Sequence, residues 1–273
     1  MKPVVGLLFS KDRAMQLDAT IRSLYLHCQD IENMDVKVIW TTSDSRHEET
    51  YQTLVSTYAE IEFISQVNFD SQLLASIAGY EFVLFLVDDN IFVRDFSIYN
   101  IIMSLSENPR ALGFSLRLGT NTNYCYALRL EQQLPTFMSM DHGFLKFDWP
   151  SAQYDFGYPL EVSSSVYRTQ DINAILHDSF ANPNLLEAHL NNHEIAFEHL
   201  KNFLLCNQYS YTFCNPVNKV QSTYNNRVGE IFNYSPDELR EMFAKGYRIN
   251  VEKYSGFIPN GCHQEVELNF LRL

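Results

Sequence analysis

Basic residues are scarce in this chain. Twenty Lys and Arg stand against 33 Asp and Glu, for a formal net charge of −13. That excludes a broad basic face of the kind that neutralises nucleic-acid phosphates. An anionic ligand then needs local help from a metal, an Arg or a helix N-terminus. Glycine and proline are sparse as well, at 10 and 9 of 273 residues, which rules out collagen-like and broadly disordered readings. Cysteine is scattered: Cys28, Cys125, Cys206, Cys214 and Cys262 are odd in number and form no Cys-x-x-Cys pair. Buried thiols in a reduced compartment fit this better than a disulfide framework. No apolar run approaches the ~20 residues needed to cross a bilayer. The short run at 3–9 reads as a strand rather than a secretory signal. A cytoplasmic protein is expected, with peripheral membrane contact left open.

Apolar residues, by contrast, are plentiful: 46% of the chain is hydrophobic, with 16 Tyr and 20 Phe, enough for a large core. There is no internal repeat, low-complexity tract or linker. Residues 4–9 are continuously apolar, as in a strand buried on both faces. Met15, Leu17, Ile21, Leu24 and Tyr25 follow at helical spacing. A strand is predicted over 36–40, a helix over 47–58, a short strand over 61–64 and a helix over 71–78 closed by Gly79. The most apolar strand, 82–87, runs straight into Asp88-Asp89-Asn90. This alternation predicts an α/β fold with a mostly parallel sheet between helices. Ligands of such sheets bind beyond the carboxyl ends of the strands, where the polar clusters after Phe9, Trp40 and Val87 lie. The second half is less regular. Strands are expected over 111–118 and 161–168, flanking an aromatic stretch at 124–158 that could wall an acceptor site. A helix is expected over 185–200. Another follows Ser235-Pro236-Asp237-Glu238, with Ser as cap, and closes at Gly246.

Two adjacent carboxylates at the end of a buried strand are costly to desolvate together. A hard cation, Mg²⁺ or Mn²⁺, relieves the repulsion and shares oxygen ligands with a phosphate. The plain alternative is a turn, since Asp and Asn are common at strand ends. In strand geometry, side chains 88 and 90 would face one way and 89 the other.

The strand 82–87 followed by Asp88-Asp89-Asn90 resembles the Asp-x-Asp region of GT-A fold glycosyltransferases, the family-2-like and exostosin-like enzymes above all. Residues 4–13 look like their first strand and nucleotide loop, with Phe9, Ser10 and Arg13 beside the donor. Asp44 lies where such enzymes often set a carboxylate against the base, and Arg46 adjoins it. The resemblance implies one GT-A-like domain, with a nucleotide-sugar half at 1–120 and an acceptor half at 121–273. It implies a nucleotide-sugar donor, UDP-linked by default, and a glycan, lipid-linked or small-molecule hydroxyl acceptor. It also implies Mn²⁺ or Mg²⁺ held by Asp88, Asp89, Asn90 and a C-terminal His, here His263. Where those families carry a third carboxylate, this chain has Asn90, an amide without the charge. Arg13 suits a diphosphate, as an Arg fork matches phosphate oxygens; a solvated loop Arg is the alternative.

A carboxylate at the start of a late helix serves as base in the inverting members. Glu187 matches it, although Asn184 with Glu187 three residues on also reads as a capping box. Glu161 and Asp155 are the next candidates, then Asp141-His142. His189 and His193 share a helix face but lack the Glu of the zinc-protease motif, and His199 lies off that face. A solvated helix side explains them more simply than a metallohydrolase. Two alternatives remain: a nucleotidyltransferase, whose Gly-rich first loop is missing, and a non-catalytic nucleotide-binding module.

Overall fold

The computed structural model describes residues 2–177, 179–224 and 226–272. The first half alternates as the hydrophobic pattern predicts: β1 (Val4–Lys11), α1 (Ala14–His27), β2 (Met34–Thr41), α2 (Ser45–Thr57), β3 (Glu62–Ser65), α3 (Phe69–Ile77) and β4 (Phe82–Val87). Next come β5 (Asn90–Phe92), α4 (Ile98–Glu107) and β6 (Ala111–Ser115). The second half adds β7 (Tyr124–Cys125), β8 (Leu130–Glu131), β9 (Met138–Ser139), β10 (Phe144–Asp148), β11 (Ser165–Arg168), α5 (Thr169–Asn173) and α6 (Pro183–Asn192). It ends with β12 (Phe203–Asn207), β13 (Thr212–Cys214), α7 (Pro236–Ala244), β14 (Tyr247–Ile249) and β15 (Phe270–Arg272).

Nine strands form the central sheet, in the order β3-β2-β1-β4-β11-β6-β12-β10-β9. β3, β2, β1 and β4 are parallel, β11 inserts antiparallel between β4 and β6, and β12 pairs parallel with β6. The sheet thus interleaves strands from both halves of the sequence. Alternation along β4 sends Leu84 and Leu86 into one core and Val83 and Phe85 into the other. Helices α1, α4 and α7 contribute to the first core through Leu17, Ile101 and Leu239; α3 and α6 contribute to the second through Leu73 and Leu190. All five cysteines are buried free thiols. Among the described residues, no helix is long and apolar enough to cross a membrane.

Local chemistry moves several boundaries. Asn68 caps α3 by accepting from the Ser71 N–H, so this helix starts before residue 71. Gly79 and Gly246 follow α3 and α7 at φ 84° and 86°, the left-handed backbone that glycine adopts without strain. Strand β6 ends at Ser115 rather than 118, and β11 begins at Ser165 rather than 161, because residues 161–164 fold around the Glu161 side chain. Helix α6 ends at Asn192, where the expected helix continued to 200. Its last turn gives way at His193, whose Nδ1 meets the His189 carbonyl. His189 is not on a solvated face. It is buried, with its ring 4.4 Å from His193 and 5.6 Å from Phe180. His199 is exposed beyond the helix.

Candidate active site

Register between β1 and β4 pairs Phe9 with Val87, so the next residues of the two strands meet beyond the sheet's carboxyl edge. Asp88 is 4% exposed there. Its Oδ2 accepts from Ser10 Oγ at 2.9 Å and the Lys11 N–H at 3.2 Å. Its Oδ1 accepts from Arg13 Nη1 at 2.9 Å. The same Nη1 donates to Asp89 Oδ2 at 3.3 Å, and Nη2 donates to the Asn218 carbonyl. Arg13 therefore bridges both carboxylates from the root of α1. Strand geometry does not persist through the triplet: residues 88 and 89 form a turn, and both acids reach one guanidinium. Burial, then repulsion from Asp88, pushes the Asp89 carboxyl up to about 6 against the pull of Arg13. One cation faces a buried and a half-buried acid, which leaves the corner short of positive charge.

The third member of the triplet does different work. Asn90 is fully buried; its Oδ1 accepts from the Val87 N–H at 2.9 Å and its Nδ2 donates to Cys214 Sγ at 3.4 Å. The amide ties the turn shut instead of facing the carboxylates, which corrects its expected place in a ligand set. His263 bridges to Cys214, one chain further away from β5. Burial, then the Arg117 guanidinium, pushes its imidazole down to about 3. Among the described residues, no three His, Cys, Asp or Glu side chains gather as a metal cage. The expected four-residue set is therefore not assembled. Asp88 and Asp89 alone still suit Mg²⁺ or Mn²⁺, which commonly bind through one or two carboxylates plus substrate phosphates.

Phe9 packs its ring into the core against Phe69 and Phe85, at 5.4 and 5.9 Å, so its side chain does not line the corner. Asp44 caps α2, accepting from the His47 N–H at 3.0 Å, and pairs with Arg46 at 3.0 Å. The cap bond, then Arg46, lowers its carboxyl to about 2. Both side chains are solvent-facing at the head of α2, outside the Arg13 cluster. Three participants escaped the sequence reading. Tyr51 and Asp12 are buried beneath the corner, and Asp12 sits at φ 54° with Oδ1 accepting from the Ser43 N–H at 2.7 Å. Thr20 Oγ1 donates to the Asp88 and Asn90 carbonyls. These contacts join residues far apart in sequence, so no local pattern announces them.

A second cluster lies beyond β6 and before β11, on the same edge of the sheet. Asn182, not Asn184, caps α6 by accepting from the Leu185 N–H at 3.0 Å, with Pro183 in the first turn. Glu187 is thereby free of capping. Burial, then repulsion from Glu161, raises its carboxyl to about 7, opposed by Arg117. Glu161 is 2% exposed and already committed. It accepts from the Ser163 N–H, from Ser163 Oγ at 2.6 Å, from the Ser164 N–H at 3.0 Å and from Ser165 Oγ. It also pairs with Arg117 at 3.7 Å, so it has little capacity left to take a proton from a substrate. Asp155 accepts from Gln132 Nε2 at 3.2 Å, and burial raises its carboxyl. Asp141 and His142 sit on an exposed turn before β10, near the far edge of the sheet. Arg117, 4% exposed, went unpredicted; its Nε makes the ion pair with Glu161 and its Nη1 donates to Ser163 Oγ at 3.0 Å. Cys214, which accepts from Asn90 Nδ2 and bridges to His263, is buried, and burial, then Asp89, pushes its thiol well up.

This architecture, a large and mostly parallel sheet between helices, is similar to that of GT-A-type glycosyltransferases. No family model matches the chain. It is 27% identical over 278 residues to the bifunctional glycosyltransferase pgtA of Dictyostelium discoideum, a match spanning 91% of this chain and 36% of that protein. TarS of S. aureus shares the fold with a TM-score of 0.52 at 14% identity, covering 78% of this chain and 36% of TarS. TarS 1-349 in complex with UDP gives 0.51 at 15% identity, covering 79% of this chain and 61% of that one.

Proposed function

We propose that this chain transfers a sugar from a nucleotide-diphosphate sugar, UDP-linked by default, to a hydroxyl acceptor. The observation that carries the reading is the Arg13–Asp88–Asp89 cluster at the carboxyl edge of the sheet. Support comes from the pgtA likeness and from a shared fold whose TarS example was solved with UDP. Arg13 would leave its carboxylate partners to bind the diphosphate, assisted by the positive N-terminal end of α1. Asp88 and Asp89 would hold Mg²⁺ or Mn²⁺, which when bound neutralises the charge of the departing diphosphate. Across the site, Glu187 would take the proton of the acceptor hydroxyl. A carboxyl near 7 is suited to that task at neutral pH. Residues 1–120 would supply the donor side and residues 121–273 the acceptor side of one domain.

The test is a donor panel of UDP-sugars with simple hydroxyl acceptors, followed by UDP release. Turnover is expected from the parent, with a loss of ~100-fold or more in Glu187→Gln. Unaltered turnover in that variant removes Glu187 from the reaction. Metal-dependent UDP binding without turnover of any donor points instead to a binding module.

A further inference from the structure

Beneath the corner, the hydrogen bonds run in one direction. The Arg13 N–H donates to Tyr51 Oη at 3.1 Å, and Ser10 Oγ donates to Asp88 Oδ2 at 2.9 Å. Between them, Tyr51 Oη and Ser10 Oγ are 2.5 Å apart. Because the Ser10 proton goes to the carboxylate, the Tyr51 proton must go to Ser10. Each hydroxyl then donates once and accepts once, and the chain ends on an anion, the arrangement in which such bonds reinforce one another. Tyr51 has no exposed surface, and its ring lies on Trp40 at 4.8 Å with 10° between planes. It comes from α2, 38 residues beyond Arg13, and touches the loop 10–13 where Asp12 holds its left-handed backbone.

Resting on the donor reading above, we propose that Tyr51 is a positioning residue for the donor diphosphate. Its hydroxyl orients the Asp88 carboxylate through Ser10 and fixes the main chain from which the Arg13 side chain springs. Tyr51→Phe keeps the ring on Trp40 and removes only that hydroxyl. Ser10 Oγ then loses its donor and the Arg13 N–H its acceptor. The two arms of the diphosphate clamp, carboxylate and guanidinium, are loosened together, while contacts to the nucleoside are left in place.

The test is a double-mutant cycle of Tyr51→Phe and Ser10→Ala, with Kd for UDP measured by calorimetry in the presence of Mn²⁺. Each change is expected to weaken UDP binding ~10-fold, with the double variant losing clearly less than the product of the two, since both break the shared Tyr51–Ser10 link. Binding of uridine, followed by NMR, is expected to stay unchanged. Additive losses, parent-like UDP affinity in Tyr51→Phe, or an equal loss of uridine binding would each overturn the proposal. Amide hydrogen exchange gives a reading that needs no nucleotide. The Arg13 amide is expected to exchange at least ~10-fold faster in Tyr51→Phe, because its acceptor is gone. Unchanged exchange sinks the relay even if UDP binds. Faster exchange in a protein that binds no nucleoside diphosphate sinks the donor reading while the relay stands.

Discussion

Glu187 enters the fold at a cost that depends on pH. Its carboxyl rises from an ordinary 4.5 to about 7, with burial the main cause. The folded state therefore favours the protonated form. Its contribution to stability is full below about 4.5 and is lost as pH rises through 7. Glu187→Gln, neutral at every pH, is expected to raise Tm by ~2–4 °C at pH 8 and to change it little at pH 4. An equal shift at both pH values would show that the carboxyl is not strained. Arg13 carries the opposite risk. Arg13→Met leaves the buried Asp88 and the half-buried Asp89 without their cation and should cost ~3 kcal/mol in urea denaturation. Mn²⁺ should then raise the Tm of this variant more than that of the parent. The sequence brought Ser10, Arg13, Asp88 and Asp89 to one corner because polar residues directly after neighbouring parallel strands fall at the same carboxyl edge of the sheet. Arg117, Tyr51 and Asp12 stayed hidden because their roles come from partners on other strands. Asn90 was misplaced because its side chain serves the turn, a use that residue type alone does not distinguish from ligation.

Among the elements, α6 carries both a cap and the proposed base. Asn182 holds the first turn, and Glu187 follows in the next. Asn182→Ala is expected to cost ~1 kcal/mol of stability and also to slow transfer by displacing Glu187. Ser235→Ala, which breaks the capping box at the head of α7, should cost a similar amount in stability while leaving kcat alone. Equal kcat losses in the two variants would show that α6 has no particular link to the reaction. Periodicity identified β1 to β4 with their helices because the strands carry continuous or interrupted apolar runs and the helices an apolar stripe. Helix α4 carries the same stripe in Ile98, Ile101, Ile102 and Leu105, buried along one face, but was not predicted from the sequence. The end of α6 was illegible because it is set by His193 turning back onto the His189 carbonyl. Strand β11 was predicted too long because Glu161 looks like the start of a strand yet gathers the loop before it.

For the whole molecule, the alternation of strands and helices over residues 4–87 was enough to predict the layered sheet. The order of strands beyond β4 was not legible. β11, from residues 165–168, inserts between β4 and β6, from 82–87 and 111–115, so the centre of the sheet is closed by a strand from late in the chain. That insertion places the Arg117–Glu161–Glu187 cluster on the same edge as Arg13, Asp88 and Asp89. The chain's charge of −13 sharpens the demand on that edge, since a diphosphate brought there meets a protein already rich in acids. The most direct test is calorimetry of UDP with and without Mn²⁺, on the parent and on folded Asp88→Ala and Asp89→Ala variants. The account predicts Mn²⁺-dependent binding by the parent and its loss in both variants. Variants that take up UDP and Mn²⁺ as well as the parent does would contradict it.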